Sequence, residues 1–304
     1  MQRTENRQIE LTKTDGLSPL QKGYIVMAGV LFIWSSFVLS IRGIGASPLT
    51  VADVALLRFS VPMLILIPYI RSRLAVIKKV KVSDILLLLL GGLPFLLLVS
   101  LGAASAPSAY VSTIVTSTPP FFVAVISYLF YRQKVSLKQT FTLCLIVIGV
   151  MIMITGGRAH ISSEMLTGVC FLLAAGGIWA CYTIGLKRAG LDAISLAIIT
   201  SYLSFFITFI LVVFGGLNSN VGLFSLQQAL PFIIVQGIGV GILATIGFSY
   251  AVNKLGPSNA SVMGALSPGL TSLLAVPIYN ESLSLIIIGG ISITITGVIF
   301  SSRV

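Results

Sequence analysis

The chain predicts an all-α membrane protein, with ten transmembrane helices in two inverted five-helix repeats. Three observations predict it. Of the 304 residues, 56% are hydrophobic and only 9% are charged, against roughly 25% charged in an ordinary soluble domain. The apolar residues fall in blocks near the ~20 residues that a helix needs to cross a bilayer, which raises the mean hydropathy to +1.06. Landmarks of the first half also return in the second at a nearly constant offset. These features exclude a conventional soluble enzyme, a coiled coil and a disordered tail.

Residues 1–22 are polar, lack an obvious signal-peptide cleavage site and read as a cytoplasmic segment. Apolar runs bounded by charges, Gly and Pro then predict spans over 23–41, 49–70, 85–104, 109–130 and 137–155, the first repeat occupying 23–156. The second repeat, 165–302, holds spans over 166–186, 193–215, 229–252, 257–278 and 283–301. Spans three and four, and eight and nine, are almost contiguous and must form tight hairpins. No connection approaches the 50 residues or so of a separate domain.

Charge sets the orientation. The chain has 19 basic and 8 acidic residues, a formal charge of +11. With an even number of spans, the side holding both termini carries sixteen bases, including Lys22, Arg71, Lys79, Lys134, Arg188 and Lys254; the other side has Arg42 and Arg158. Over short loops this asymmetry places both termini in the cytoplasm. The bases cluster at span ends as topology signals, so no nucleic-acid partner is expected. Cys144, Cys170 and Cys181 lie in apolar segments as small hydrophobes. Neither a disulfide framework nor a metal motif appears, and no cofactor is expected.

Gly23, Trp34 and Gly45 recur 145 residues later as Gly168, Trp179 and Gly190, and Arg42 keeps that offset to Lys187. Pro120, Tyr131 and Gly149 recur 148 residues later as Pro268, Tyr279 and Gly297. Five helices per half is odd, so the second half enters the membrane from the opposite side. Inverted repeats commonly build alternating-access transporters that hold substrate near the midplane.

Span one carries Leu31-Phe32-Ile33-Trp34 and Arg42, and span six carries Gly177-Ile178-Trp179 and Lys187. Arg58 stands in span two. Ser117-Thr118-Pro119-Pro120 runs through to Tyr131, and Leu266-Ser267-Pro268 runs through to Tyr279-Asn280-Glu281. Over residues 20–302 this pattern resembles the drug/metabolite transporter superfamily, specifically its ten-helix EamA-type branch. The resemblance implies a multi-pass secondary carrier of the cell inner membrane, commonly exporting amino acids, other metabolites or drugs. One departure stands out: the Glu usual after the fourth helix is replaced around Arg132-Gln133, whereas the second repeat keeps Glu281.

The candidate substrate-binding residues are Trp34, Arg58, Tyr110, Thr113, Trp179, Tyr182, Gln236 and Tyr250. Trp34 lies roughly 16 Å into its span, near midplane, and Trp179 is its repeat mate, with Tyr182 one turn farther on the same face. They read either as an aromatic wall of a cavity or as interhelical packing duplicated with the repeat. Arg58 reads either as the attractor of an anionic substrate group or as a structural or gating tie, with Asp53 five residues away as a candidate neighbour. Tyr110, Thr113 and Ser117 share one helix face. Their hydroxyls line a polar surface or bond backbone carbonyls. Pro119-Pro120 and Pro268 predict matching helix bends.

Asp53, Asp84, Glu164 and Glu281 fall near span ends, and His160 lies in a loop. A coupling proton is compatible with the composition, but no relay is identifiable. The leading reading is a small-metabolite exporter, with an importer or uniporter of the same architecture as the alternative. An enzyme is disfavoured, since the single His and edge-placed acids do not converge, and a receptor, since it needs no such duplication and no cytoplasmic signalling module is visible. A small-molecule substrate and membrane lipids are the expected partners; the oligomeric state is open.

Overall fold

The computed structural model describes residues 17–132, 134–156 and 162–301; Gln133, Arg158, His160 and the chain ends lie outside them. Helices form the whole of the described architecture, with no strand. Ser18 opens α1 (Pro19–Gly43) with a capping box: its hydroxyl accepts from Gln21 N while the Gln21 side chain accepts from Ser18 N. After a short turn, Thr50 and Asp53 form a second capping box at α2 (Val51–Ile65).

The chain then departs from expectation. The span expected over 49–70 ends at Leu66, and α3 (Ile67–Ile77) leaves at 87°. Pro62 removes a backbone donor inside α2, and Pro68 favours a fresh helical start in α3. No residue of α3 is buried. It exposes Ile67, Tyr69, Leu74 and Val76 beside Arg71 and Arg73, the composition of an interfacial helix.

The first half continues through α4 (Val82–Leu90), α5 (Leu93–Ser105), α6 (Ser108–Ser117), α7 (Pro119–Tyr131) and α8 (Leu137–Gly156). The second begins with α9 (Ser163–Ala189), α10 (Ala193–Val213) and α11 (Leu226–Phe232), which runs through a π-helical segment, Ile233–Ala244, into α12 (Thr245–Leu255). Gly256, with φ of 80°, makes the tight turn into α13 (Pro257–Gly264). α14 (Ser267–Tyr279) and α15 (Leu285–Ser301) follow.

By length and apolarity, eight helical stretches among the described residues suffice to cross a membrane, or nine if the bent α2–α3 pair is one span. Helix α15 is apolar but has only 17 residues. The expected ten spans thus reduce to eight or nine on this measure. The protein is an all-α, multi-pass membrane protein.

The halves pack reciprocally. α1 contacts the π-segment and α12, as α9 contacts α4 and α5; α1 also contacts α14, as α9 contacts α6 and α7. The pairs α2–α10, α6–α14 and α8–α15 each join equivalent positions. Backbone details follow the 148-residue offset: α7 starts at Pro119 and α14 at Ser267. Arg132 (φ 50°) and Asn280 (φ 53°) are the non-glycine residues with positive φ among those described. Each terminates its helix in the left-handed conformation that ordinarily favours Gly or Asn.

Candidate functional site

Arg58 projects from α2 into the seam between the halves and is 7% exposed. Its Nη1 donates to Gln236 Oε1 at 2.7 Å, and Gln236 is wholly buried within the π-segment. Gln236 Nε2 donates to Ser40 Oγ at 2.7 Å, and Ser40 Oγ donates to the Phe37 carbonyl at 2.8 Å. One relay thereby joins α2, the π-segment and α1. The guanidinium carbon lies 5.0 Å from the Phe37 ring centroid and 5.7 Å from that of Phe59.

No carboxylate pairs with Arg58 among the described residues. The ion pairs there are Arg42–Glu281, Arg73–Asp192 and Arg188–Asp84. Asp53, expected as a neighbour, is committed elsewhere. It accepts from Thr50 N at 2.8 Å, Thr50 Oγ1 at 2.9 Å, Ser219 Oγ at 2.5 Å and Asn220 N at 3.0 Å. This carboxylate is 1% exposed and fastens the segment before α11 to the start of α2. A cation at the centre of a membrane helix costs about 2.5–3.5 kcal/mol on insertion scales. The Gln236 amide and two aromatic faces offset that cost without neutralising the charge.

Aromatic rings extend from the guanidinium across both halves. Phe37 stacks on Phe95 at 6.3 Å, Phe95 meets Trp179 at 4.6 Å, and Trp179 meets Tyr182 at 4.8 Å. Trp34, one turn from Phe37 on α1, contacts Phe248 at 5.3 Å. Each tryptophan thus packs on a phenylalanine from the other half. Tyr182 is within electrostatic reach of Arg58, and Phe37 and Tyr182 share the 145-residue offset of the tryptophans. Gly91 makes room for Tyr182: a Cβ there would lie 2.5 Å from the ring.

Four sequence candidates therefore converge: Arg58, Gln236, Trp179 and Tyr182. Trp34 extends the aromatic line but packs with Met27, Val30 and Phe248 in a smaller cluster. Tyr110 OH donates to the Met153 carbonyl at 2.5 Å, and Thr113 Oγ1 donates to the Ala109 carbonyl at 2.7 Å. Tyr250 lies beneath Lys254 near the end of α12, 5.8 Å from Nζ. These three contacts lie outside the Arg58 relay. Phe37, Ser40, Phe95 and Phe248 are not marked as site residues by the sequence, although Phe37 carries the repeat offset to Tyr182. An apolar groove of about 550 Å³ between α7 and α8, lined by Phe121, Tyr128, Cys144 and Ile148, is separate from these residues.

Charged ties close both ends of the bundle. At one end, Glu281 accepts from Ser108 N at 2.9 Å and Ser108 Oγ at 2.9 Å, capping α6 where the positive helix terminus favours an anion. Arg42 Nε lies 3.8 Å from the same carboxylate, and Arg42 Nη1 donates to the Ala103 carbonyl at 2.6 Å. At the other end Arg188 pairs with Asp84 at 2.9 Å, and Arg73 with Asp192 at 3.4 Å. Partial burial raises the Asp192 carboxyl, but hydrogen bonds from Ser195 and Ile194 and the charge of Arg73 outweigh it, leaving the carboxyl below its ordinary range. Its contribution to stability is therefore complete above the ordinary aspartate pKa and fades as pH falls through the lowered one.

Glu281→Ala is expected to destabilise the fold by about 1–3 kcal/mol, since two Ser108 donors lose a charged acceptor. Thermal unfolding of the purified protein measures it, and an unchanged transition would remove Glu281 as a structural tie.

Residues 21–155 and 166–303 both match the sequence model of the EamA-like transporter family. The chain belongs to the EamA-like transporter family. An uncharacterized transporter of Methanothermobacter thermautotrophicus is 27% identical over 237 residues, covering 72% of this chain and 65% of that protein. The chain thus spans just under two thirds of this curated relative. A solved structure described simply as the crystal structure of a protein superposes with a TM-score of 0.60, at 17% identity, over 92% of this chain and 96% of the other. That likeness concerns the fold. Within this EamA chain, Arg58 lies in the first matched stretch and Gln236 in the second.

Proposed function

We propose that the protein is a secondary transporter of the inner membrane that exports amino acids or other small metabolites by alternating access. The observation that carries this reading is the buried Arg58–Gln236 pair, with residues of both halves meeting around a cation that lacks an internal counter-ion among the described residues. Family membership supports transport, and reciprocal packing supports two repeats, 23–156 and 165–302, inserted in opposite senses. The excess of bases supports cytoplasmic termini. Trp34, Tyr110, Thr113 and Tyr250 would then shape the walls and gates around the central group.

In this reading the two halves rock about the aromatic line, and the charged ties at the two ends break alternately. Phe95, Trp179 and Tyr182 supply flat apolar surface, while Arg58 and Gln236 fix the polar end of the substrate. A modest site suits a carrier, because a substrate held too tightly is not released.

Initial flux per folded protein in liposomes, screened with amino acids, organic acids and lipophilic cations, tests the proposal. Trp179→Phe is expected to retain most flux. Trp179→Ala should lose at least about tenfold, the effect of ~1.4 kcal/mol in binding, beyond any loss of folded protein; Trp34→Ala should have the smaller effect. Unchanged flux in both alanine variants would reject the aromatic line as part of the pathway. Cysteines placed near Lys79 and near Ser47 should label from opposite sides; labelling from the same side would defeat the orientation.

A further inference from the structure

We infer that Arg58 receives the carboxylate of a small organic anion whose apolar body lies along Phe95, Trp179 and Tyr182, and that the protein exchanges one such anion for another. The inference rests on the transport reading above and adds a substrate class and a mode of coupling. Three observations carry it. Arg58 is more than nine-tenths buried, and the side-chain hydrogen bond it makes among the described residues is the one from Nη1 to Gln236. A guanidinium presents five N–H donors in a planar fork suited to a carboxylate, so most of its donor capacity is uncommitted. Finally, Gln236 is itself held by Ser40, so the fork is oriented before any ligand arrives.

Charge selects the ligand. A cationic substrate would add repulsion to a desolvated positive charge, and a neutral one would leave that charge uncompensated. A carboxylate supplies both the missing countercharge and paired acceptors. The neighbouring rings then favour an apolar or aromatic body over a second charge.

The same bookkeeping of charge sets the transport mode. Reorientation takes the site through a state closed to water on both sides. With the site empty, that state contains an unpaired guanidinium; with an anion bound, it contains a neutral pair. The loaded carrier therefore reorients faster than the empty one, and entry of one anion is tied to exit of another.

The probes are N-acetyl-L-phenylalanine, a monoanion; N-acetyl-L-phenylalaninamide, its neutral match in shape; and L-phenylalanine. Uptake of each labelled probe is measured with the full chain in liposomes, preloaded or not with the unlabelled acid. Binding is followed in parallel by thermal stabilisation of the purified protein. The acid should enter preloaded vesicles at least tenfold faster than empty ones, while the amide should neither enter nor drive exchange. Gln236→Glu should place an internal carboxylate on Arg58, reducing acid uptake at least tenfold without lowering the unfolding temperature. Arg58→Lys, which keeps the charge but loses the fork, should weaken acid stabilisation while leaving the protein folded.

Equal handling of acid and amide, or normal acid uptake by Gln236→Glu, would overturn the carboxylate assignment and leave transport itself standing. Equal uptake into loaded and empty vesicles would overturn exchange. If none of the three probes stabilises or crosses, the inference fails, while the broader flux screen with Trp179→Ala decides separately whether the protein transports.

Discussion

Asp53→Ala is expected to destabilise the protein by roughly 3–5 kcal/mol, because several buried donors lose their acceptor at once, each at about 1–3 kcal/mol. The carboxylate accepts from Thr50, Ser219 and Asn220 at an almost inaccessible position. Its removal abolishes the capping box of α2 and frees the segment that follows α10. Asp53→Asn keeps the shape but replaces one acceptor oxygen with a donor, so it should recover little. Thermal unfolding in lipid nanodiscs gives the magnitude, and proteolysis around Asn218–Asn220 should show that segment loosened first. A melting transition within about 0.5 kcal/mol of the parent, the range of an ordinary surface substitution, would contradict this role.

The second large effect is expected at Gly237, beside Gln236. A Cβ at this position would lie 2.7 Å from Val61 Cγ2 and 3.2 Å from the Leu57 carbonyl. Both belong to α2, so Gly237→Val must push the π-segment away from the helix carrying Arg58. Overpacking of this kind costs typically about 1–3 kcal/mol. The functional loss should be larger, because the 2.7 Å Arg58–Gln236 contact is the first casualty. We expect flux to fall more than tenfold at an unfolding temperature still compatible with a folded protein. Gly289→Ala serves as control, since a Cβ there meets nothing within 4 Å. Equal flux from both variants would show that the π-segment and α2 do not need this close approach.

The class of the fold was legible because bilayer thickness acts directly on sequence: apolar blocks this long and charge this sparse suit lipid and not water. The Trp34–Trp179 relation was legible for a similar reason, since large aromatics are rare enough for one offset to stand out. Phe37 and Tyr182 obey that offset too, but a phenylalanine among Ser36, Val38 and Leu39 attracts no notice until Arg58 is seen over its ring. Phe95 was hidden in a leucine-rich run whose inward face lacks a polar marker. The π-winding of Ile233–Ala244 was also hidden, because an apolar block fits α or π geometry equally well. Pro62 and Pro68 were visible, but hydropathy continues past Leu66 and masked the turn. Asp53 shows the opposite failure: proximity in sequence suggested Arg58, while its capping box claims the carboxylate for the backbone.

That right-angle turn sets how Arg58 experiences the membrane. Eight residues separate Arg58 from Leu66, about 12 Å of helix rise, and the exposed apolar and basic side chains of α3 suit the headgroup layer. If α3 floats there, its leaflet is the datum for the depth of the charge, whatever the total thickness of the bilayer. A thicker bilayer then stretches the far side of the seam while leaving Arg58 at the same distance from the near surface. The carrier should tolerate lipids of different chain length better than a site slung between two fixed ends. Neutralising Arg71, which takes no part in the ion pairs among the described residues, would loosen the float and should narrow that tolerance.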